Sequence, residues 1–321
     1  MMNAHAHDNA FPCAGWGVTA VAELEAICRG EGCETAADEA LGRHTSMGVG
    51  GPTPLMVWPR HPEAVARVLE WCTERGLAWR ILGGGTNVLA SDAGVAEPVI
   101  NLTSLLDGAD VHPPTALFPA GTPTAQALRA SAHAGLAGLV WSTGLPGTIG
   151  GAVAGNAGCW GGQMADVVAR LEVIDGAGKW QTLEADELAW SYRRLQLPAR
   201  LGAASVIVAV AVNVRPEDPS KLTGRSFELQ HRKRESQPVG ARNAGCIFKN
   251  PDPEHAAGWL IDQAGCKGIG IGDAQISELH GNFLINRGGA TYADVDALIT
   301  RVKAAVREQS GITLEEEIRR W

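Results

Sequence analysis

The chain has 321 residues, of which 45% are apolar and 19% charged, with a formal net charge of −8. This length exceeds one ordinary core and predicts two or three domains. The acidic balance excludes the basic stripe of a nucleic-acid binder, and no run approaches the roughly 18 consecutive apolar residues of a membrane helix.

Residues 1–18 read as a disordered leader. MMNAHAHDNAFPC lacks a basic region followed by an apolar run, so it is no signal peptide, and His5 and His7 are expected to be leader rather than metal ligands. VAELEAICRG has apolar residues at helical spacing and ends at a glycine. PEAVARVLEWCTER (62–75) predicts a helix with proline in its first turn and Gly76 as its stop. LAWRILGGGTNVLAS reads as a short strand entering a glycine loop, and VIVAVAVNV (206–214) as a β-branched strand. RPEDPS, just beyond, is expected to be a linker. A basic helix containing HRKRESQP follows, then a second glycine-rich region and a C-terminal helix, YADVDALITRVKAAVREQSG.

Seven cysteines stand at irregular spacings (Cys13, Cys28, Cys33, Cys72, Cys159, Cys246, Cys266) without a CxxC pair. Neither a zinc ribbon nor a disulfide framework fits, no metal is expected, and a reducing compartment, the cytoplasm, is favoured.

Forty glycines exceed the roughly 7% of ordinary usage, and they concentrate in loops. In GGGTN the backbone of Gly83, Gly84 and Gly85 can approach a ligand, with N–H groups converging on a phosphate. Taken alone this is equally a tight turn. GLVWSTGLPGTIGGAVAGNAGCWGG (138–162) holds nine glycines. Each interior glycine costs about 0.5–1 kcal/mol against alanine, so a long phosphate-bearing cofactor on a backbone wall is expected, with Ser142, Thr143 and Thr148 as hydroxyl donors. The alternative is a loop that permits close strand packing.

Together with TSMGVGGP (45–52), SYR (191–193), NAGCIFKNP (243–251) and LEEEIR (314–319), these stretches resemble the UDP-N-acetylenolpyruvoylglucosamine reductase family from about residue 20 almost to the end. The resemblance implies an α+β protein: a two-subdomain FAD-binding module of the vanillyl-alcohol-oxidase (PCMH) type and a C-terminal α+β substrate domain. The implied divisions are 19–103 and 104–217 for the FAD subdomains, 218–306 for the UDP-sugar domain, and 307–321 for a segment returning to the active site. Gly83, Gly84, Gly85, Thr86 and Asn87 would contact the FAD pyrophosphate, and Ser142, Thr143, Gly147, Thr148, Gly151 and Ala152 would line the remaining flavin. With only Tyr192 and Tyr292 in the chain, the likeness is to the branch without a tyrosine-bearing loop over the substrate.

The implied chemistry reduces an enolpyruvyl ether to a lactyl ether, with FAD as cofactor and NADPH as co-substrate. No side chain can donate such a hydride; the protein must supply a proton donor and a clamp for enolate charge. Cys246 stands where many family members have a serine donor. A cysteine in an apolar stretch is ordinarily a small buried hydrophobe, yet a thiol of ordinary pKa near about 8.5 is mostly protonated at neutral pH. Arg193 matches the arginine beside the substrate carboxylate, a planar fork suited to that charge. Arg194 is its neighbour, and Leu195 replaces a small hydroxylic residue. Glu317, within a run that is otherwise ordinary charged surface, matches the family's tail glutamate.

Tyr192, Arg234, Lys249, Asn250 and Gln275 are the implied substrate contacts, with His280 and Asn282 further candidates. The expected partner is a small-molecule UDP-sugar, with no nucleic acid, no membrane and a monomeric state. Two alternatives stand beside this reading: another FAD-dependent oxidase on the same scaffold, and a non-catalytic UDP-sugar-binding relative. GGGTN without a following Lys-Ser/Thr argues against a phosphate-loop hydrolase.

Overall fold

The computed structural model describes residues 16–202 and 204–321. His5, His7, Cys13 and most of the expected leader therefore lie outside the described residues. Trp16, also assigned to that leader, donates its indole N–H to the Ala78 carbonyl (2.8 Å) and packs 5.9 Å from the Trp71 ring. Among the described residues no helix is long and apolar enough to cross a membrane.

The fold is α+β, and the chain divides into two compact units. The first takes its residues from 16–38, 54–84 and 96–230, and the second from 39–53, 85–95 and 231–321.

The first unit contains a crossover between parallel strands. Pro52–Trp58 is followed by the helix Pro62–Glu74 and then by Arg80–Leu82, with Val99–Asn101 parallel between the two strands. The helix begins with proline at its first position, where a missing N–H loses nothing. Its apolar stripe, including Val65, Val68, Leu69 and Trp71, is buried. Gly76, with φ at 63°, follows the end. The unit's other main sheet is antiparallel and five-stranded, in the order Trp180–Glu184, Val168–Ile174, Val206–Asn213, Thr115–Pro119 and Asp110–His112. Val206–Asn213 is the central strand and is covered on both faces, which explains its unbroken run of valine, isoleucine and alanine.

The expected linker is part of this unit instead. Arg215–Pro216 pairs with Leu136–Ala137, the Glu217 N–H donates to the Gly135 carbonyl (2.8 Å), and Pro219 opens a helix running to Ser236. Pro216 lies in a two-residue pairing at the end of the strand region, and Pro219 lies in the first helical turn. Both are places where proline needs no donor, so the two prolines mark element ends rather than a tether.

The second unit is built on an antiparallel sheet ordered Arg242–Cys246, Phe283–Asn286, Ala274–Ile276 and Gly270–Ile271. The helix Tyr292–Ser310 has a reciprocal Thr291/Asp294 capping box at its start and a left-handed Gly311 at its end. Val295, Leu298, Ile299, Val302 and Val306 form its buried stripe, and Phe248, Leu284, Leu314 and Ile318 lie in the same core.

Candidate active site

The glycines of the first motif are required by close packing. A Cβ on Gly83 would fall 2.5 Å from Thr148 Oγ1, and one on Gly84 would fall 2.8 Å from Gly147 Cα. In the first unit, then, the start of GGGTN lies directly against the centre of the long glycine-rich segment. Gly85 belongs to the second unit, has φ at 62°, and a Cβ there would stand 2.0 Å from the His44 carbonyl oxygen. No L side chain fits at that position.

The hydroxyls of the long segment have local partners. Ser142 donates to Leu139 O and Thr143 to Val140 O, both at 2.7 Å, and both residues are buried. Thr148 accepts the Gly151 N–H (3.4 Å) at the start of the short helix Ile149–Ala154, in which Ala152 is buried and Gly151 exposed. In this arrangement Ser142 and Thr143 shape the wall, and Thr148 holds the turn against Gly83.

Tyr192 and Arg193 form the two-residue turn of a hairpin whose strands, Ala189–Ser191 and Arg194–Gln196, pair with Ser191 opposite Arg194. Arg193 has φ at 60°, an uncommon conformation for a residue with a side chain, and its guanidinium lies 5.1 Å from the Tyr192 ring centre. Arg193 is half-buried, whereas Tyr192 and Arg194 are exposed. Leu195 points into the first unit's core, accounting for an apolar residue at that position.

Within the second unit, Cys246 ends the strand Arg242–Cys246 just after a bulge at which Gly245 takes φ 74°. A bulge of this kind re-aims the next side chain. The thiol is half-buried. Cys72 and Cys266 behave as core residues: burial pushes the Cys72 thiol up to about 12 and raises that of Cys266.

The C-terminal tail runs beside this strand. The Glu317 N–H donates to Ile247 O (2.8 Å), Phe248 bridges Glu316, and the Lys249 N–H donates to Glu315 O (2.9 Å). Arg319–Arg320 pairs in parallel with Val88–Leu89, and the Asn87 carboxamide donates to Glu317 O (3.0 Å). The tail thereby brings together Asn87, the Cys246–Lys249 segment and Glu317. Glu315 is ion-paired to Lys249, while Glu316 is paired to Lys303 (3.3 Å) and Arg320 (2.7 Å).

Asn250 accepts the Ala257 N–H (3.0 Å) at the start of the helix Ala257–Gln263, and Gln275 donates to Gly268 O (3.0 Å). Arg234 is exposed in the last turn of its helix. Asn282 is buried and clamps the Phe248 backbone from both sides, accepting its N–H (2.9 Å) and donating to its carbonyl (2.8 Å). It holds the Cys246–Lys249 segment in place. His280 accepts the Asn282 N–H at Nδ1 (3.1 Å), and burial lowers its pKa.

A cavity of about 450 Å³ in the second unit is lined by Gly42, Arg43, Thr45, Ser46, Gly48 and Arg242 among others. Ser46 donates to Asn243 O (2.6 Å), joining TSMGVGGP to NAGCIFKNP. Arg43 and Arg242 were not read as site residues from sequence, since neither stands at a marked spacing. No group of three or more His, Cys, Asp or Glu capable of holding a metal occurs among the described residues.

Comparison with known proteins gives a consistent result. Residues 53–184 match an FAD binding domain, and residues 237–321 match the C-terminal domain of UDP-N-acetylenolpyruvoylglucosamine reductase. The chain is 40% identical over 299 residues to the UDP-N-acetylenolpyruvoylglucosamine reductase of Geobacter metallireducens, covering 93% of this chain and 96% of that protein. It is 38% identical over 289 residues to that of Desulfosudis oleivorans, covering 88% and 92%. Its structure resembles the crystal structure of UDP-N-acetylenolpyruvylglucosamine reductase from Thermus caldophilus, with a TM-score of 0.76, 35% identity, and coverage of 90% of this chain and 98% of that one. The chain belongs to the UDP-N-acetylenolpyruvoylglucosamine reductase family.

Proposed function

We propose that this chain reduces the enolpyruvyl ether of UDP-N-acetylglucosamine to the lactyl ether, a step in making cell-wall precursor, with NADPH as reductant. The observation that carries the reading is the return of the C-terminal tail, which sets the Glu317 backbone against Ile247, next to Cys246.

The residues present fit FAD. The cavity beside TSMGVGGP offers two guanidinium groups, hydroxyls and small residues, suited to a pyrophosphate-bearing group. Gly83, Gly84, Gly85, Thr86 and Asn87 would hold that end, and Ser142, Thr143, Gly147, Thr148, Gly151 and Ala152 the rest. When bound, FAD supplies the hydride that an amino-acid side chain cannot.

The chain's own groups supply the remaining chemistry. Arg193 takes the substrate carboxylate and stabilises the negative charge that develops there. Cys246 gives its Sγ proton to the alkene carbon that does not receive hydride. Glu317 orients that donor side of the site. Lys249 offers its ammonium to the diphosphate, with Arg234, Asn250, Gln275 and Tyr192 as further substrate contacts. The protein acts as a cytoplasmic monomer, with FAD subdomains at 19–103 and 104–217 and a substrate domain at 218–306.

The test is NADPH consumption with the purified flavoprotein, with and without the enolpyruvyl UDP-sugar, and mass spectrometry of the product. Sugar-dependent consumption with one hydride and one proton added across the alkene is expected. Consumption that requires oxygen and leaves the sugar unchanged would contradict the reading.

A further inference from the structure

We infer that Asn156 is the positioning residue for Arg193, tying the turn that carries the arginine to the glycine-rich wall; this rests on the proposed role of Arg193 as carboxylate clamp. Asn156 is 3% exposed and left-handed, with φ at 38°. It sits just past the helix Ile149–Ala154, and its N–H donates to Val153 O (3.0 Å). Its carboxamide finds its partners outside that helix. Nδ2 donates to Ser191 O (3.1 Å) and to Gln163 Oε1 (3.2 Å), while Oδ1 accepts the Ala165 N–H (3.0 Å).

Ser191 is the last residue before the Tyr192–Arg193 turn and pairs with Arg194 just after it. The hairpin has only three residues in each strand, and Ala189 and Ser191 are exposed. Such a short ribbon is marginal by itself. Leu195 anchors one strand in the core; on the other, Trp190 packs half-buried against the same core, and Asn156 holds the carbonyl nearest the turn. With these in place Arg193 is held in its left-handed conformation, a backbone state that persists where its surroundings over-determine it. Asn156 and the Gly147–Ala152 wall belong to the same stretch of chain, so the tether sets the clamp's register against that wall.

The experiment compares Asn156→Asp and Asn156→Gly with wild type in the flavin-loaded enzyme. Aspartate keeps the acceptor for Ala165 and loses both donated bonds. Glycine takes φ at 38° without strain and removes the carboxamide altogether, so it serves if the aspartate variant does not fold. Both are expected to raise the KM for the enolpyruvyl UDP-sugar by about tenfold, the equivalent of about 1.4 kcal/mol. Flavin content and the rate at which NADPH bleaches the flavin should stay within about twofold of wild type.

In an Arg193→Ala background the same substitutions should have no further effect on KM, because the group they position is gone. An equal effect in both backgrounds, or a parallel fall in flavin content and both half-reactions, overturns the tether and makes Asn156 merely structural. Wild-type KM in the Asn156 variants alongside a raised KM in Arg193→Ala also overturns it, while sparing the clamp. Unchanged KM in Arg193→Ala removes the clamp itself, and the tether with it.

Discussion

The side chain of Asn87 donates to the backbone carbonyl of Glu317 at 3.0 Å, across 230 positions of sequence. The last residue of GGGTN thus holds the glutamate-bearing tail, and the bond is reinforced on either side. The Arg319 N–H donates to Asn87 O (2.9 Å), the Trp321 N–H to Leu89 O (3.0 Å), and the Ser91 N–H to Trp321 O (2.9 Å).

Asn87→Asp preserves the shape of this contact and removes its donor, placing a carboxylate oxygen opposite the Glu317 carbonyl. Leaving a partly buried acceptor unpaired costs about 1–3 kcal/mol. Urea unfolding should show a loss in that range, and the C-terminal residues should become more open to carboxypeptidase. Unchanged stability and protection would mean that the tail is held by its backbone pairing alone.

Two glycines predict unequal costs for the same substitution. At Gly85, alanine meets the His44 carbonyl as well as an unfavourable φ of 62°. Strain of about 1–3 kcal/mol then adds to overpacking of about 1–3 kcal/mol, and flavin content should fall. At Gly161, where φ is 80° and nothing lies within 4 Å of the added Cβ, only the left-handed cost of about 1–2 kcal/mol remains. Purified variants can be compared by urea midpoint and by the ratio of flavin to protein absorbance. Equal effects at the two sites would contradict the packing argument.

His280 gives a pH prediction. Burial holds its pKa below the ordinary value, and Nδ1 must stay unprotonated to accept from Asn282. The unfolded state therefore takes up a proton more readily than the fold does. The stability tied to the neutral ring is fully present above about pH 6.5 and declines as pH falls towards and through the folded-state value. In His280→Phe, stability should fall less steeply than in wild type between about pH 6.5 and 5, with parallel curves above that window. Identical slopes below pH 6.5 would refute the assignment.

Glu317→Gln removes charge while keeping size and the backbone contacts to Ile247 and Asn87. NADPH should still bleach the flavin at the wild-type rate, and recovery of colour on adding the sugar should slow by about 100-fold, within the usual range for a lost acid–base group. A variant that NADPH cannot bleach would place Glu317 in the other half-reaction.

Much of the frame is legible because local rules act alone there. Proline at position 62 and glycine at 76 bound one helix; Thr291, Asp294 and Gly311 bound another. The strand Val206–Asn213 announces its central place by being apolar on both faces. Pro216 and Pro219 mislead, because proline marks element ends as readily as linkers, and the neighbour that recruits Arg215–Pro216 is Leu136–Ala137, far off in sequence. The site is legible mostly through motif resemblance. No periodicity marks Cys246, Arg193 or Glu317, and the pairing of Arg319–Arg320 with Val88–Leu89 is too short to leave a pattern. Asn156 illustrates what stays hidden, a buried carboxamide bonded mostly to backbone groups of distant residues, and Asn282, which the resemblance offered as a further substrate contact, instead clamps the Phe248 backbone.

The most direct measurement is anaerobic stopped-flow absorbance of the flavin-loaded wild type, Cys246→Ser and Cys246→Ala, adding NADPH and then the enolpyruvyl UDP-sugar. NADPH should bleach the flavin in all three. The sugar should restore colour rapidly in wild type, measurably in the serine variant, and at least about 100-fold more slowly in the alanine variant. Wild-type colour that returns only on admitting oxygen would contradict the reductase reading, and an alanine variant that recovers at the wild-type rate would contradict Cys246 as the proton donor.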